Sequence, residues 1–225
     1  MKRGVVLLSG GMDSLVTLAI ALEGWDVFPV HVNYRQRTEG KELESFRKII
    51  SFYGLEKFLV ADIDYLGKIG GSSLTELSIE PEKGAPVKNQ IPNTYVPFRN
   101  THLLAIGVSY AEVMDAEAVF IGAVESDSSN YPDCRKEYID AFNKLVKTGS
   151  KSGRIRIIAP VINMDKKEIV KKGAELRAPF HLSWSCYVDN VIACGECQSC
   201  YLRKKAFKEA GIKDPIEYRR SKDGL

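Results

Sequence analysis

A short run of small and polar residues follows the first apolar segment of the chain. Residues 9–14 read S-G-G-M-D-S and come directly after the apolar segment Gly4–Leu8. The first N–H groups of a helix have no backbone partners, and the helix dipole gives that end a partial positive charge. Two glycines let the backbone approach an anion without an intervening Cβ. Because a helical pattern begins at Asp13, this run predicts a phosphate-binding loop.

The side chains of this loop add a second chemical signal. Ser9 and Ser14 supply hydroxyl donors, and Asp13 places a carboxylate beside the predicted phosphate site. A carboxylate repels phosphate unless a cation or donor lies between them, and Mg²⁺ binds a few carboxylates together with phosphate oxygens. The run matches neither G-x-x-x-x-G-K-[ST] nor G-x-G-x-x-G. The alternative is a Ser/Gly turn in which Asp13 caps a helix.

Four of the five cysteines lie within residues 186–200, and Cys134 stands apart. The clustered thiols are Cys186, Cys194, Cys197 and Cys200. Cysteines three positions apart on a turn converge on one ion, and four thiolates suit tetrahedral Zn²⁺ or an iron–sulfur cluster. Four protein ligands leave zinc no open position, so a zinc ion here is expected to be structural. The remaining alternative is a group of reduced, buried thiols without metal; the odd count argues against a disulfide framework.

Alternating apolar and amphipathic segments predict the elements that position these residues. The predicted strands are Gly4–Leu8, Val27–Val32, Lys57–Ala61, Ala118–Ile121 and Arg154–Ile158. The predicted helices are Asp13–Leu22, Glu39–Tyr53, Thr101–Met114, Glu137–Val146, Lys166–Leu176 and Tyr201–Ala210. This alternation predicts an α/β fold with a doubly wound, Rossmann-like parallel sheet. We expect a nucleotide-binding domain over residues 1–180, with a four-cysteine zinc-binding segment and a basic helix over residues 181–225 packed on it.

The composition is that of an ordinary globular protein of 225 residues, with 44% hydrophobic residues and a net charge of +3. It argues against disorder, collagen and coiled coil, and the charge is too small to indicate nucleic acid by itself. No apolar run approaches the roughly 18–20 residues that span a bilayer, and the stretch 4–8 is shorter than a signal-peptide core. We therefore expect a cytoplasmic protein with no membrane contact and no direct nucleic-acid partner.

Two resemblances rest on these motifs. The loop at 9–14 resembles the PP-loop of the N-type ATP pyrophosphatases, which share the fold of the adenine nucleotide alpha hydrolases. Together with the cysteine cluster, four further runs in the same order resemble the 7-cyano-7-deazaguanine synthase family. They are GGSSLT at 70–75, YVPFRNT at 95–101, DSSNYPDCR at 127–135 and WSCY at 184–187. This second resemblance covers about residues 5–207.

The second resemblance implies a specific reaction. It implies an ATP-dependent C–N ligase that converts 7-carboxy-7-deazaguanine and ammonia to the nitrile 7-cyano-7-deazaguanine. The reaction would pass through an adenylated carboxylate and an amide, in the supply of queuosine and archaeosine precursors. It also implies ATP, Mg²⁺, one structural Zn²⁺ per chain and a homodimer.

The candidate residues fall into overlapping roles. The expected nucleotide-binding residues are Leu8, Ser9, Gly10, Gly11, Met12, Asp13 and Ser14. The expected catalytic residues are Asp13, Ser14, Lys166 and Arg99, of which Lys166 would steady phosphate charge and Arg99 would hold a carboxylate or phosphate in a bidentate pair. The expected substrate-binding residues are Arg99, Asn100, Asp127, Tyr131, Asp133 and Arg135, and the metal ligands are the four clustered cysteines.

Two other functional classes stay open. The locally basic residues 201–225 keep open a PP-loop enzyme that acts on tRNA, although no RNA-binding domain is evident. The cysteine cluster keeps open a zinc-ribbon binding module, although a ribbon needs its own basic and aromatic face. Nucleic-acid affinity at moderate salt would separate both from the ligase.

Overall fold

Five parallel strands form one sheet in the computed structural model, which describes residues 1–125 and 130–219. The strands are β1 (Lys2–Leu7), β2 (Trp25–Asn33), β3 (Leu59–Asp62), β4 (Ala118–Phe120) and β5 (Arg156–Ile158). Their order is β3-β2-β1-β4-β5, so the chain winds outward from β1 in one direction and then in the other. This arrangement confirms the predicted doubly wound sheet. Ligands bind such sheets where the winding reverses, at the carboxyl ends of β1 and β4.

Seven α-helices connect and cover these strands within the described residues. They are α1 (Met12–Leu22), α2 (Glu39–Phe52), α3 (Tyr65–Ile69), α4 (Arg99–Val113), α5 (Lys136–Gly149), α6 (Lys166–Glu175) and α7 (Gln198–Ala210). Every predicted strand and helix is present, with ends shifted by at most three residues. The helix α3 was missed because it is a single short turn inside a polar, glycine-rich segment.

Apolar side chains fill the space on each face of the sheet. One core includes Leu15, Phe46 and Ile169, all with no exposed surface. The other includes Leu104 and Val119, also fully buried, together with apolar residues of α5. Burial of a large aliphatic or aromatic side chain stabilises a fold by about 1.5–3 kcal/mol, so these two cores hold the helices against the sheet.

The chain after residue 180 packs on the first of these cores through α7. Ala206 and Phe207 of this helix are buried in it. Arg203 is 1% exposed, and its guanidinium pairs with Asp214 with an Nε–Oδ2 distance of 3.0 Å. It also donates to the Ser183 hydroxyl at 2.8 Å. Because Ser183 precedes α7 and Asp214 follows it, Arg203 joins the helix to the chain on both of its sides. A buried charge that is fully paired in this way holds the cysteine segment in one position.

No helix within residues 1–125 and 130–219 has the length and apolar character that a bilayer crossing requires.

Candidate active site

A cavity of about 270 Å³ lies at the carboxyl ends of β1 and β4. Its wall combines residues that are distant in sequence, from the loop after β1 to the cysteine segment. The predicted residues that line it are Leu8, Ser9, Gly11, Met12, Asp13, Ser14, Arg99, Asn100, Tyr131, Lys166 and Cys186. The structure therefore brings the predicted nucleotide loop and three predicted substrate residues to one cavity.

The PP-loop is held in a tight turn by its own side chains. Gly10 has a φ of +89°, and a Cβ at this position would lie 2.6 Å from the Glu42 carbonyl oxygen, so only glycine fits. The Gly11 N–H donates to Ser9 Oγ at 3.2 Å, and Ser14 Oγ donates to the Gly11 carbonyl at 3.0 Å. Gly11 occupies the N-cap of α1, which leaves its first N–H groups without a side-chain cap. An anion is the natural partner for such groups.

Asp13 lies inside the first turn of α1, so it is not the helix cap that the alternative interpretation required. Its Oδ2 atom accepts a hydrogen bond from Lys166 Nζ at 2.6 Å. Its Oδ1 atom is buried and has no hydrogen-bond partner among the described residues. A buried carboxylate oxygen without a partner is costly, and a bound cation would satisfy it.

Lys166 reaches the loop from the first residue of α6. Asp165 caps this helix, because its side chain accepts the Glu168 N–H at 2.7 Å while Glu168 accepts the Asp165 N–H at 2.8 Å. This reciprocal capping box fixes the start of the helix and hence the origin of the lysine side chain. Two positive features, the α1 terminus and Lys166, thus converge at one end of the cavity.

Arg99 begins α4 and lies between two aromatic rings. Its guanidinium carbon is 5.9 Å from the Tyr34 ring centroid and 6.0 Å from that of Tyr131. Within the described part of the chain it forms no ion pair with a carboxylate. A guanidinium stays protonated, so Arg99 presents a positive charge to the cavity. Besides the two rings, it makes only long hydrogen bonds, to Asn100 Oδ1 and to the Tyr34 hydroxyl, both at 3.4 Å. The site therefore offers an anionic ligand a guanidinium that no carboxylate of the described residues contacts directly.

The remaining predicted substrate residues have different positions. Asn100 is buried, and Asp133 accepts its backbone N–H at 2.9 Å, which places Asp133 behind the cavity wall at the start of α4. Tyr131 lines the cavity and hydrogen bonds with Thr94 Oγ1 at 2.6 Å. Arg135 lies outside the wall and pairs with Glu137 at 3.6 Å. Asp127 lies outside the described residues.

The candidate site residues chosen from the sequence omitted several residues of the cavity wall, three of which lie within the quoted runs 127–135 and 184–187. They are Tyr34, Glu42, Cys134, Trp184, Tyr187 and Gln198. Burial raises the pKa of Glu42 to about 7, and burial likewise raises the pKa of the Cys134 thiol to about 11. A signal for Glu42 existed, because it lies four residues before the buried Phe46 and so faces inward on α2.

The four clustered cysteines form a compact thiol site. Their Sγ atoms all lie within 4.8 Å of one another. Backbone N–H groups point at two of them: those of Val188 and Cys194 donate to Cys186 Sγ at 3.4 and 3.3 Å, and that of Cys197 donates to Cys194 Sγ at 3.3 Å. Hydrogen bonds from the thiols of Cys197 and Cys200 lower the pKa of Cys186. Convergent thiols with N–H donors fit a structural metal ion.

The long polar segment before α4 is tied to this thiol site. The Gly84 N–H donates to the Glu196 carbonyl at 2.8 Å, and Gln198 Nε2 donates to Glu82 at 2.6 Å. Leu74, Pro86 and Thr94 of the same segment line the cavity. The cysteine segment therefore contributes residues to the cavity wall and also holds the segment 70–98 against the cavity.

Comparison with known proteins gives a consistent result along the whole chain. A protein from Chlorobium phaeobacteroides named 7-cyano-7-deazaguanine synthase is 55% identical over 224 residues, covering 98% of this chain and 99% of that protein. Proteins of the same name from Chloroherpeton thalassium and Acidobacterium capsulatum are 53% and 51% identical, each covering 96% of this chain and 97% and 96% of their own lengths. The family model described as Queuosine biosynthesis protein QueC matches residues 3–211. The chain therefore belongs to the QueC family.

Proposed function

We propose that the chain is an ATP-dependent ligase that converts 7-carboxy-7-deazaguanine and ammonia to 7-cyano-7-deazaguanine. One observation carries the mechanism: a single cavity joins the PP-loop to Arg99, a cation that forms no direct ion pair with a carboxylate of the described residues. A nucleotide phosphate and a carboxylate substrate would meet there. The names of the relatives support the product.

The chemistry requires the carboxylate to be activated twice. A carboxylate oxygen attacks the α-phosphorus of ATP, and pyrophosphate leaves, so that a mixed anhydride with AMP forms. Ammonia then forms a C–N bond at the carbonyl carbon, AMP leaves with the electrons of the broken C–O bond, and a proton is released. A second adenylation at the amide oxygen, followed by loss of AMP and protons from nitrogen, yields the nitrile. One cavity suffices for both rounds, because each activates an oxygen on the same carbon.

The residues at the phosphate end would position ATP. The N–H groups at the start of α1 and the Ser9 and Ser14 hydroxyls would bind its pyrophosphate portion. Lys166 would oppose the charge that develops on the phosphates during transfer. Mg²⁺, held by Asp13 and phosphate oxygens, would reduce the charge of the leaving pyrophosphate.

The residues at the other end would hold the deazapurine. Arg99 would bind the carboxylate, and Tyr131 would stack on the flat ring system. Asn100 lies beside Arg99 in the cavity wall and would position the bound acid. We retain Asp127, Asp133 and Arg135 as candidates for the guanine-like edge, with Asp133 acting from behind the wall.

The thiol site would hold one structural Zn²⁺ per chain. With four protein ligands the ion would have no open position for a substrate. Its function would be to fix the segment that carries Cys186 and Tyr187 to the cavity wall. We also propose that ammonia enters from solution and that the protein is a homodimer.

A direct assay tests this function. Purified protein would be incubated with 7-carboxy-7-deazaguanine, ATP, Mg²⁺ and ammonium, and the products identified by mass spectrometry. We expect the nitrile, with the amide as an intermediate at early times. Accumulation of the amide alone would contradict the second activation, and absence of both products from zinc-replete protein would contradict the ligase function.

Replacement of Arg99 by alanine is expected to weaken acid binding. Loss of a hydrogen bond to a charged group costs about 1.5–3 kcal/mol, which corresponds to a rise of about 10- to 100-fold in the KM for the carboxylate. The KM for ATP is expected to change much less. Steady-state kinetics would be compared with an Arg3→Ala control, since Arg3 lies at the opposite end of β1. An unchanged KM for the acid would exclude this role for Arg99.

A further inference from the structure

A carboxyl group that the motifs do not include lies in the cavity wall. Glu42 is in the first turn of α2, and its backbone oxygen is the atom that excludes a Cβ at Gly10 of the PP-loop. Its side chain lines the same cavity as Asp13 and Arg99. Glu42 thus faces the cavity in which the activated carbonyl would form.

The hydrogen bonds around Glu42 hold its carboxyl group in one orientation. Thr38 Oγ1 donates to Oε1 at 2.8 Å, and Gln36 Nε2 donates to Oε2 at 3.2 Å. The Gln36 amide cannot turn over, because its own Oε1 accepts the Tyr34 N–H at 2.9 Å. Gln36 and Thr38 are 4% and 2% exposed. A carboxylate has about four acceptor positions, so two remain for a group in the cavity.

The charged and titratable groups that face Glu42 come from three parts of the chain. Arg99 of α4 favours its ionised form, Glu39 of its own helix disfavours it, and the Tyr34 hydroxyl lies 3.4 Å from Arg99 Nη1. Burial outweighs the attraction and raises the pKa of Glu42 to about 7. A carboxyl group in this range both accepts and releases a proton near neutral pH.

We propose that Glu42 is the general base that converts ammonium to ammonia in the cavity before attack on the adenylated carboxylate. This inference rests on the proposed function. Ammonium transfers one proton to the Glu42 carboxylate, and the nitrogen lone pair that this frees forms the C–N bond. The C–O bond to AMP breaks, AMP takes that electron pair, and the amide nitrogen releases a second proton. Glu42 then returns its proton to solvent, so the group is regenerated.

The choice of nucleophile separates this role from a structural one. At neutral pH ammonia is present almost wholly as ammonium, which must lose a proton before it can attack. Hydroxylamine is mostly in its neutral form and needs no base to attack. A Glu42→Gln variant is expected to lose about 100-fold in kcat/KM for ammonium but less than about fivefold for hydroxylamine. Amide and hydroxamate would be measured by mass spectrometry on the same protein. A Glu44→Gln variant on the exposed side of α2 would serve as the matched control.

The pH profile gives an independent readout. For the wild type, kcat/KM for total ammonium is expected to fall below a pH of about 7, because Glu42 becomes protonated, and to level off just above it, where the supply of free ammonia still rises with pH. The variant is expected to follow the supply of free ammonia alone. Equal losses with both nucleophiles, or no loss with either, would overturn the assignment. Failure of the wild type to form amide would instead overturn the proposed ligase function.

A conservative variant keeps the test valid if Glu42→Gln does not fold. Glu42→Asp retains the carboxylate but withdraws it by one methylene. It is expected to keep hydroxylamine activity and to lose about tenfold with ammonium, with the pH break still present. A Glu42→Asp profile without that break would contradict the proposal.

Discussion

Replacement of Asp13 by asparagine is expected to reduce nitrile formation by about 1,000-fold or more. The change preserves the shape of the side chain and its hydrogen bond to Lys166 Nζ but removes the negative charge. The buried Oδ1 atom, which has no partner among the described residues, would no longer bind a cation beside the phosphates. Product formation would be followed by mass spectrometry at several Mg²⁺ concentrations, and the residual activity is expected to need far more Mg²⁺ than the wild type.

Two controls distinguish charge from folding in this result. The Tm of Asp13→Asn should stay close to that of the wild type, because the apolar core that holds α1 and α6 against the sheet does not include Asp13. An Asp140→Asn variant changes an exposed carboxylate on α5 and should retain activity. If Asp13→Asn keeps more than about a tenth of the wild-type rate, Asp13 is a structural partner of Lys166 and the assigned role is wrong.

The relation between Asp13 and Lys166 can also be measured. Residues that act as one unit on the same phosphates have non-additive effects, so a double variant with Lys166→Met is expected to be little worse than the poorer single variant. If the rate loss of the double variant instead equals the product of the rate losses of the two single variants, the two residues act independently. The 2.6 Å contact between the two side chains favours the first outcome.

Features set by short sequence spacing could be predicted well. The glycines, serines and aspartate of the PP-loop are contiguous, so their convergence follows once β1 and α1 are placed. Cys194, Cys197 and Cys200 meet because their spacing is that of a single turn and a helix start. Strand and helix alternation then determined the parallel sheet, since parallel neighbours require crossovers.

The opposite wall of the cavity depends on contacts between distant segments. Glu42 and Tyr34 come from the chain around α2. Their proximity to Arg99 follows only because the starts of α2 and α4 line the same cavity. The position of Glu42, four residues before the buried Phe46, indicates that it faces inward, but no local pattern states that it faces a ligand cavity rather than the apolar core. The link between residues 82–84 and the cysteine segment is likewise a tertiary contact. The motifs identified the phosphate end and part of the substrate end of the cavity, and the structure was needed to add Glu42 and Tyr34.

Loss of one clustered thiol is expected to release the metal and destabilise the protein. In a Cys200→Ser variant, zinc content should fall from about one to near zero per chain, because the site has no spare thiolate. A loss of about 3 kcal/mol in the free energy of unfolding corresponds to a drop of about 10 °C in Tm for a chain of this size. Metal content would be measured by elemental analysis and Tm by calorimetry. A Cys134→Ser control, outside the cluster, should keep its zinc.

The loss of metal should also reach the nucleotide loop, and this consequence tests whether the thiol site serves the reaction. The backbone N–H of Trp184, two residues before the ligand Cys186, donates to the Gly10 carbonyl at 2.9 Å. Release of the metal would loosen this contact, so Cys200→Ser should raise the KM for ATP as well as lower Tm.

Iron together with visible absorbance in the wild type would indicate a cluster instead of zinc. Unchanged Tm and KM in Cys200→Ser would reduce the four cysteines to buried thiols without a structural function.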